Sequence, residues 1–212
     1  MKNIVVFGAT GPTGREFVKQ ALDEGHELTV IVRDPTLLNL THPKMKVIKG
    51  DVLDCSTFDN EIMGKDVVIS CLGSGGKTKP TIIYSKGMEN IISTMGKSRV
   101  NRVICISAMG LATNDNMSFF AKILVKFVGQ IIYKEPYKDM RLMEKILEKA
   151  NLEWTIVKPP ALTNKVKTGT YRLGINMHIR RPFSISRADL AHFMLRSVDD
   201  SKTFRQEVEI AY

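Results

Sequence analysis

The amino-acid sequence predicts an α/β fold with a doubly wound, mostly parallel sheet of about seven strands and helices on both faces. Short apolar runs alternate along the chain with segments of helical periodicity, which is the pattern of repeated βαβ units. The apolar runs are continuous rather than alternating, as in strands that are buried on both faces. Right-handed crossovers then place a helical layer on each side of the sheet.

The first three elements form a β–α–β unit. Residues 4–7 are a continuous apolar run that ends at Gly8. Residues 15–24 repeat apolar side chains at helical spacing, and Gly25 follows where a glycine commonly ends a helix. Residues 28–32 are the second apolar run and predict the second strand.

The later elements continue this alternation of apolar runs and amphipathic segments. Strands are predicted at 46–48, 66–72, 102–106 and 154–157, and helices at 81–97 and 139–150. Residues 158–185 are less regular and are expected to form loops and short strands on the substrate side of a crevice. Ser186 to Asp189 match a capping box before a last helix. The length predicts that residues 1–212 form one domain.

The composition is that of an ordinary globular protein, with 43% hydrophobic and 25% charged residues. The net charge of +9 is spread along the chain, which indicates a solvated surface or attraction of small anions rather than a nucleic-acid site. Three cysteines outside any C-x-x-C pair are expected to be reduced and mostly buried, and no metal site is expected.

The longest apolar run, residues 117–133, is interrupted by lysines and too short to span a bilayer. With no signal peptide at the start, we expect a cytoplasmic monomer or homodimer.

A glycine-rich loop lies between the first strand and the first helix. Gly8, Gly11 and Gly14 recur every third residue in the segment GATGPTG. A pyrophosphate needs bare backbone N–H groups at close range, and the start of a helix adds partial positive charge. A preceding strand and a following helix are the context that a dinucleotide-binding loop requires. A plain tight turn is the alternative, whereas a P-loop is excluded because Arg15 stands where its lysine would be.

Other candidate residues follow the later strands, at the edge where such sheets bind ligands. Arg33 predicts a contact to the 2′-phosphate of NADP(H), although Asp34 keeps NAD(H) open and an exposed strand-end arginine is the alternative. Asp51 is a candidate for the adenine amino group or for a helix cap. Gly73 would let the backbone lie near a ribose, and Ser107 would face the nicotinamide unless it merely ends a strand.

These motifs, in this order, resemble the atypical short-chain dehydrogenases/reductases, and most closely the biliverdin reductase B type of NADPH-dependent flavin reductase. The resemblance extends through residues 154–160, 168–171 and 189–196 and leaves out about 111–136. It implies a three-layer Rossmann fold and the following contacts. Gly8, Thr10, Gly11, Pro12, Thr13 and Gly14 would hold the pyrophosphate, Arg33 and Thr36 the 2′-phosphate, Asp51 and Val52 the adenine, Leu72 and Gly73 the ribose, and Ser107 and Pro159 the nicotinamide.

The chain departs from the short-chain enzymes at their Tyr-x-x-x-Lys acid pair. Tyr137 is followed four residues later by Arg141, and the lysine position falls near Met140. A flavin or similar conjugated acceptor tolerates this loss, because solvent can supply the proton after hydride transfer. We therefore expect an NADPH-dependent reductase of such a small-molecule acceptor, with Ser107 as the catalytic candidate. The alternatives are a non-catalytic NADP(H)-sensing regulator and, less favoured without the acid pair, a nucleotide-sugar epimerase or dehydratase.

The apolar residues of 117–133 recur at helical spacing, with lysines on the remaining stripe. This pattern predicts a helix packed on the domain, a lid over the substrate or a subunit contact.

Overall fold

The fold is described from a computed structural model, in which residues 1–76, 78–109 and 133–212 are described. The predictions for residues 117–133 therefore lie, Tyr133 apart, outside the described residues. The strands are β1 (Asn3–Phe7), β2 (Glu27–Val32), β3 (Met45–Lys49), β4 (Val67–Ser70), β5 (Arg102–Ile106), β6 (Glu153–Lys158), β7 (Ala161–Thr163), β8 (Arg172–Ile175), β9 (Ser184–Ser186) and β10 (Gln206–Ala211). The α-helices in the described part of the chain are α1 (Pro12–Asp23), α2 (Ser85–Ser98), α3 (Lys134–Lys149) and α4 (Arg187–Arg196).

Eight of these strands form one sheet in the order β3-β2-β1-β4-β5-β6-β10-β8. All neighbours in it are parallel except β10 and β8, which pair antiparallel at one edge. The chain moves outward from β1 to β3 and then returns to place β4 on the other side of β1. This reversal is the topological switch point at which open α/β sheets form their ligand crevice.

Two hydrophobic cores cover the two faces of the sheet. Ile4 and Val6 of β1 belong to the core under α1 and α4, whereas Val5 and Phe7 belong to the core under α2 and α3. All four side chains are at most 1% exposed, and burying each one contributes roughly 1.5–3 kcal/mol. The predicted three-layer, doubly wound architecture is confirmed.

Several predicted boundaries were displaced by local chemistry. Helix α1 begins at Pro12 rather than residue 15, because a proline fits the first helical position, where no N–H bond is needed. Strand β4 ends at Ser70 rather than residue 72. Helix α3 begins at Lys134, five residues before the predicted start. The sheet exceeds the expected seven strands because β10 and β8, which were not individually predicted, extend it.

Helix α4 begins with the capping interaction that the sequence predicted. The Ser186 hydroxyl accepts a hydrogen bond from the Asp189 backbone N–H at 2.9 Å. The fully buried Asp189 carboxylate also accepts from the backbone N–H groups of Thr168 and Gly169 and from the hydroxyl of Tyr212. These bonds fasten the irregular segment that follows β7 to the start of α4.

Among the helices of the described residues, none combines the length and the apolar character needed to cross a membrane.

Candidate active site

A cleft of about 710 Å³ lies at the carboxyl ends of the central strands, a volume typical of small-molecule and cofactor sites. Most of the residues proposed from sequence line it. They are Gly8, Thr10, Gly11, Pro12, Thr13, Arg33, Asp51, Val52, Leu72, Gly73, Ser107 and Pro159. Gly14 and Thr36 do not line it. The strand ends that are scattered in sequence thus converge on one site.

The glycines of the first loop serve close packing as well as ligand access. Gly8 has a φ of +78°, and a Cβ there would lie 2.4 Å from the Cys71 carbonyl oxygen. A Cβ on Gly14 would lie 2.2 Å from the Gly8 carbonyl oxygen. Gly14 therefore has to be a glycine because it packs beneath the loop. It does not line the cleft, where the resemblance had placed it against the pyrophosphate. Sequence spacing could not separate these two uses of glycine.

The first turn of α1 is arranged to receive an anion. The N-cap residue is Gly11, no side chain caps the helix, and the first turn holds no acidic residue. The first N–H groups of a helix lack intrahelical partners and carry partial positive charge. The Gly11 N–H donates to the Gly8 carbonyl oxygen and Pro12 has no N–H, so the first donor of the helix beside the cleft is the Thr13 N–H. This open start of the helix fits the pyrophosphate of a dinucleotide.

At the end of β2 the structure separates the roles of two adjacent charged residues. The exposed Arg33 lines the cleft, whereas Asp34 does not. The Asp34 carboxylate accepts hydrogen bonds from the Thr36 backbone N–H at 3.0 Å and from the Thr36 hydroxyl at 2.6 Å. These two bonds lower the pKa of Asp34. Asp34 thus caps the 3-10 turn Pro35–Leu37, and Thr36, which the resemblance assigned to the 2′-phosphate, donates to that cap.

Arg15 is a residue near the site that sequence reasoning did not single out as a candidate. Its Nε donates to the Thr10 carbonyl oxygen at 2.9 Å, and its second guanidinium nitrogen donates to the Leu37 carbonyl oxygen at 2.8 Å. Arg15 therefore fastens the glycine-rich loop to the loop after β2.

On the predicted adenine side, Asp51 lines the cleft and does not cap the next helix. Asp51 lines the cleft beside Val52, and its Oδ1 also accepts from the Leu53 backbone N–H at 3.0 Å. The following 3-10 helix, Cys55–Thr57, is capped instead by Asp54. Across the cleft, a Cβ added to Gly73 would meet nothing within 4 Å. The missing side chain at Gly73 therefore leaves space open at this wall.

Ser107 is 3% exposed and lies at the end of β5, on the wall of the cleft. Its hydroxyl donates to Glu144 Oε1 at 2.6 Å. The ammonium of Lys158 lies 3.2 Å from the same oxygen and 2.6 Å from Glu207 Oε1. Burial raises the pKa of Glu144, although Ser107 and Lys158 oppose the change. Burial by itself would lower the pKa of Lys158, but the two carboxylates outweigh it and raise that pKa.

Sequence reasoning missed Glu144, Lys158 and Glu207. A usable signal existed for Glu144, because it is a charged residue on the buried face of α3, beside Met143 and one turn from Leu147. A charge in such a position needs a buried partner. The partners on β6 and β10 are distant in sequence and could not be named in advance.

One wall of the cleft is formed by apolar and aromatic side chains. Tyr133 and Tyr137 stack with ring centroids 6.1 Å apart and an angle of 26° between the rings. Met140 lines the cleft one turn further along α3, near the place where the short-chain enzymes carry their lysine. The remaining apolar members of this wall are Ile83, Pro136, Pro159, Pro160 and Leu162.

Two of the cysteines are buried as predicted, and all three are free thiols. Burial raises the pKa of Cys71 to about 12 and also raises the pKa of Cys105. Neither thiol is poised as a nucleophile, because the thiolate is the reactive form.

Comparison with known proteins decides the family. The profile of a family described as NAD(P)H-binding matches residues 8–201, which is most of the chain. The chain belongs to this NAD(P)H-binding family. NAD(P)H is accordingly its cofactor, and the open start of α1 and the convergent strand ends fit such a dinucleotide.

Individual relatives of this family member are distant. An uncharacterized chloroplastic protein of Arabidopsis thaliana is 25% identical over 183 residues, which cover 79% of this chain. The chain spans 62% of that relative's length.

Solved structures agree on the fold. A short-chain dehydrogenase/reductase from Veillonella parvula in complex with NADP has a TM-score of 0.80 at 18% identity, and the match covers 100% of this chain and 94% of that one. An anaerobillin reductase from Escherichia coli O157:H7 has a TM-score of 0.76 at 20% identity, with 99% and 96% covered. At these identities the comparisons establish the shared Rossmann fold.

Proposed function

We propose that this protein is an NADPH-dependent reductase that transfers hydride to a flavin or a similar flat, conjugated acceptor, with biliverdin-like and quinone-like compounds in the same class. The observation that carries the proposal is the stacked pair Tyr133 and Tyr137, which lines the same cleft as Met140, Ser107 and Pro159. Aromatic and proline surfaces suit a planar ring system. A reductase among the proteins of this fold supports the same class of reaction.

NADPH is preferred over NADH because of the residues after β2. In NAD-dependent enzymes a carboxylate at this position accepts from the ribose 2′-hydroxyl. Here Asp34 is bonded to Thr36 and does not line the cleft, whereas the guanidinium of Arg33 does. A guanidinium binds a phosphate with two parallel hydrogen bonds, so Arg33 favours the 2′-phosphate.

The remaining contacts follow the order of the strand ends. Gly11 and Thr13 would hold the pyrophosphate at the start of α1, Asp51 the adenine, and Gly73 the ribose. The reduced nicotinamide supplies the hydride when the cofactor is bound. The protein itself brings the acceptor to Ser107 and excludes water with the apolar wall, which is catalysis by positioning.

We also propose that residues 1–212 act as one NAD(P)-binding domain. Strands β8 and β10 extend the same sheet as β1. Of residues 158–185, Pro159, Pro160 and Leu162 line the cleft, which supports a place for this segment beside the substrate. The oligomeric state and the cytoplasmic location stay predictions.

The proposal is tested by following the loss of NADPH absorbance with purified protein and FMN, riboflavin or biliverdin, against the same mixtures without protein. We expect turnover with at least one acceptor and slower turnover with NADH. No oxidation of NADPH with any of the three would refute flavin-type reduction. Tight NADPH binding without oxidation would instead favour the NADP(H)-sensing regulator, the alternative that the missing Tyr-x-x-x-Lys pair suggests.

Ser107→Ala tests the assignment within the site. Loss of the hydroxyl should slow turnover by about a hundredfold or more while NADPH affinity stays the same. An unchanged rate would remove Ser107 from the reaction.

A further inference from the structure

A file of four polar side chains connects the main cleft to a second cavity of about 260 Å³. Ser107 lines the main cleft, and its hydroxyl meets Glu144. Glu144 meets Lys158, and Lys158 meets Glu207. Lys158 and Glu207 line the second cavity. The side chains of Glu144 and Lys158 are 10% and 15% exposed, whereas that of Glu207 is 36% exposed. Solvent therefore reaches the far end of this file but little of its middle.

The charges in this file do not balance when every group is ionised. One ammonium, that of Lys158, serves two carboxylates, those of Glu144 and Glu207. The shorter contact, 2.6 Å, is made with Glu207, and the longer one, 3.2 Å, with Glu144. The excess negative charge thus falls on Glu144, the more buried carboxylate, where an uncompensated charge is costly. A proton on Glu144 removes that charge and leaves Lys158 paired with Glu207.

We propose that Glu144 stores the proton that the reduction consumes and delivers it through the Ser107 hydroxyl to the acceptor. This inference rests on the proposed reductase function. Once Glu144 is protonated, its O–H donates to the Ser107 oxygen, which reverses the hydrogen bond between them and turns the Ser107 hydroxyl toward the acceptor. As hydride reaches the acceptor, the Ser107 O–H bond breaks and its proton bonds to the acceptor. The Glu144 O–H bond breaks at the same time and its proton restores the Ser107 hydroxyl. Glu144 is left as a carboxylate, the nicotinamide is oxidised and the acceptor is reduced by two electrons.

Glu144 regains its proton from the side of the second cavity. The Lys158 ammonium contacts both carboxylates and stands between Glu144 and the solvent at Glu207. Solvent at this end supplies the new proton of Glu144, while the two carboxylates keep Lys158 charged by raising its pKa. Glu144 acts through Ser107, so it is a positioning and proton-storing residue. It supplies what the Tyr-x-x-x-Lys pair supplies in the short-chain enzymes.

Other titratable groups face this file and are accounted for. Cys105, on β5, faces Glu144, but the raised pKa of the Cys105 thiol keeps that thiol neutral. His178 pairs with Glu209 across the second cavity, with 2.6 Å between Nδ1 and Oε1. That pair does not contact Glu144 in the hydrogen bonds and ion pairs found among the described residues. Glu144 is therefore controlled chiefly by Ser107, Lys158 and Glu207.

The storage step can be tested without any turnover. Infrared difference spectra of the free protein, titrated with acid, should show a carboxylic-acid carbonyl stretch that disappears in Glu144→Gln. In Glu207→Gln, Glu144 is the only carboxylate of the file that remains to pair with Lys158, so the titration of Glu144 should move to lower pH. Lys158→Met removes the counter-charge and should move it to higher pH. Absence of the band, or a band that neither variant moves, would overturn the proposal.

The delivery step is tested by the pH dependence of acceptor reduction. Turnover should fall as pH rises through the titration seen in the infrared spectra, and Glu207→Gln should move this fall to lower pH. Glu144→Gln should lower turnover by about a hundredfold and abolish the fall. Glu148→Gln changes the same charge at an exposed position one turn along α3 and should leave turnover unchanged.

The outcomes separate the two proposals. If the enzyme is active and Glu207→Gln does not shift the pH dependence of turnover, proton delivery by Glu144 is refuted and the reductase function stands. No reduction of any acceptor would refute the reductase function, and proton storage by Glu144 would then be decided by the infrared titration. Glu207→Gln keeps the test valid if Lys158→Met does not fold, because Glu207 is the most exposed member of the file.

Discussion

The glycine-rich loop provides a sharp quantitative test through Gly8→Ala. Gly8 has a φ of +78°, a region where an ordinary residue costs roughly 1–2 kcal/mol. The new Cβ would also lie 2.4 Å from the Cys71 carbonyl oxygen and 2.8 Å from the Leu72 backbone nitrogen. Both are backbone atoms at the end of a buried strand and cannot rotate away. We add roughly 1–3 kcal/mol for this overpacking, so the free energy of unfolding should fall by about 2–5 kcal/mol in total.

Gly64→Ala is the matched control. Gly64 has a similar φ of +71°, but a Cβ there would meet nothing within 4 Å. Only the conformational cost of roughly 1–2 kcal/mol should remain.

Urea denaturation measures the loss in the free energy of unfolding for both variants. The fluorescence of Trp154 can follow the transition, because it is the single tryptophan and is largely buried. The two variants should differ by at least about 1 kcal/mol, and Gly8→Ala should also lose NADPH affinity as the loop shifts. Equal losses in the two variants would refute the packing argument.

Three further predictions follow from named contacts. Gly73→Ala should leave stability within about 0.5 kcal/mol but weaken NADPH binding measured by calorimetry; unchanged affinity would place the ribose elsewhere. Arg33→Glu should weaken NADPH at least about tenfold more than NADH, since one charged hydrogen-bonded contact contributes roughly 1.5–3 kcal/mol; equal weakening would contradict a 2′-phosphate contact. Asp189→Asn should lower the free energy of unfolding by about 3 kcal/mol at neutral pH. Although burial opposes it, the hydrogen bonds to Asp189 lower its pKa, so its contribution is present above the unfolded value of 3.8 and is lost as pH falls through the lower folded value. Thermal melts from neutral to acid pH should therefore show wild type and Asp189→Asn converging, and a constant gap would contradict this account.

Much of the fold was available from local patterns. The apolar runs of β1 and β2 and the helical stripe of α1 are local signals, and a doubly wound sheet follows from their alternation. The strands β10 and β8, the last two on one side of the sheet, escaped prediction because their pairing depends on partners that are distant in sequence.

The candidate site divides in the same way. Gly8, Arg33 and Ser107 could be named in advance, because ligand-binding residues in this fold follow directly after strands. Spacing could not show that Gly14 packs under the loop or that Thr36 bonds to Asp34, since both facts depend on three-dimensional proximity.

The sequence by itself determined the sheet architecture, the dinucleotide loop and the absence of a Tyr-x-x-x-Lys pair, because each is written in residues that are close along the chain. Only the tertiary structure decided what stands behind Ser107. Glu144, Lys158 and Glu207 belong to α3, β6 and β10, and folding alone brings the Lys158 ammonium within 2.6–3.2 Å of both carboxylates. A buried carboxylate that shares one ammonium with a second carboxylate is a property of that packing, and no single segment of the chain contains it.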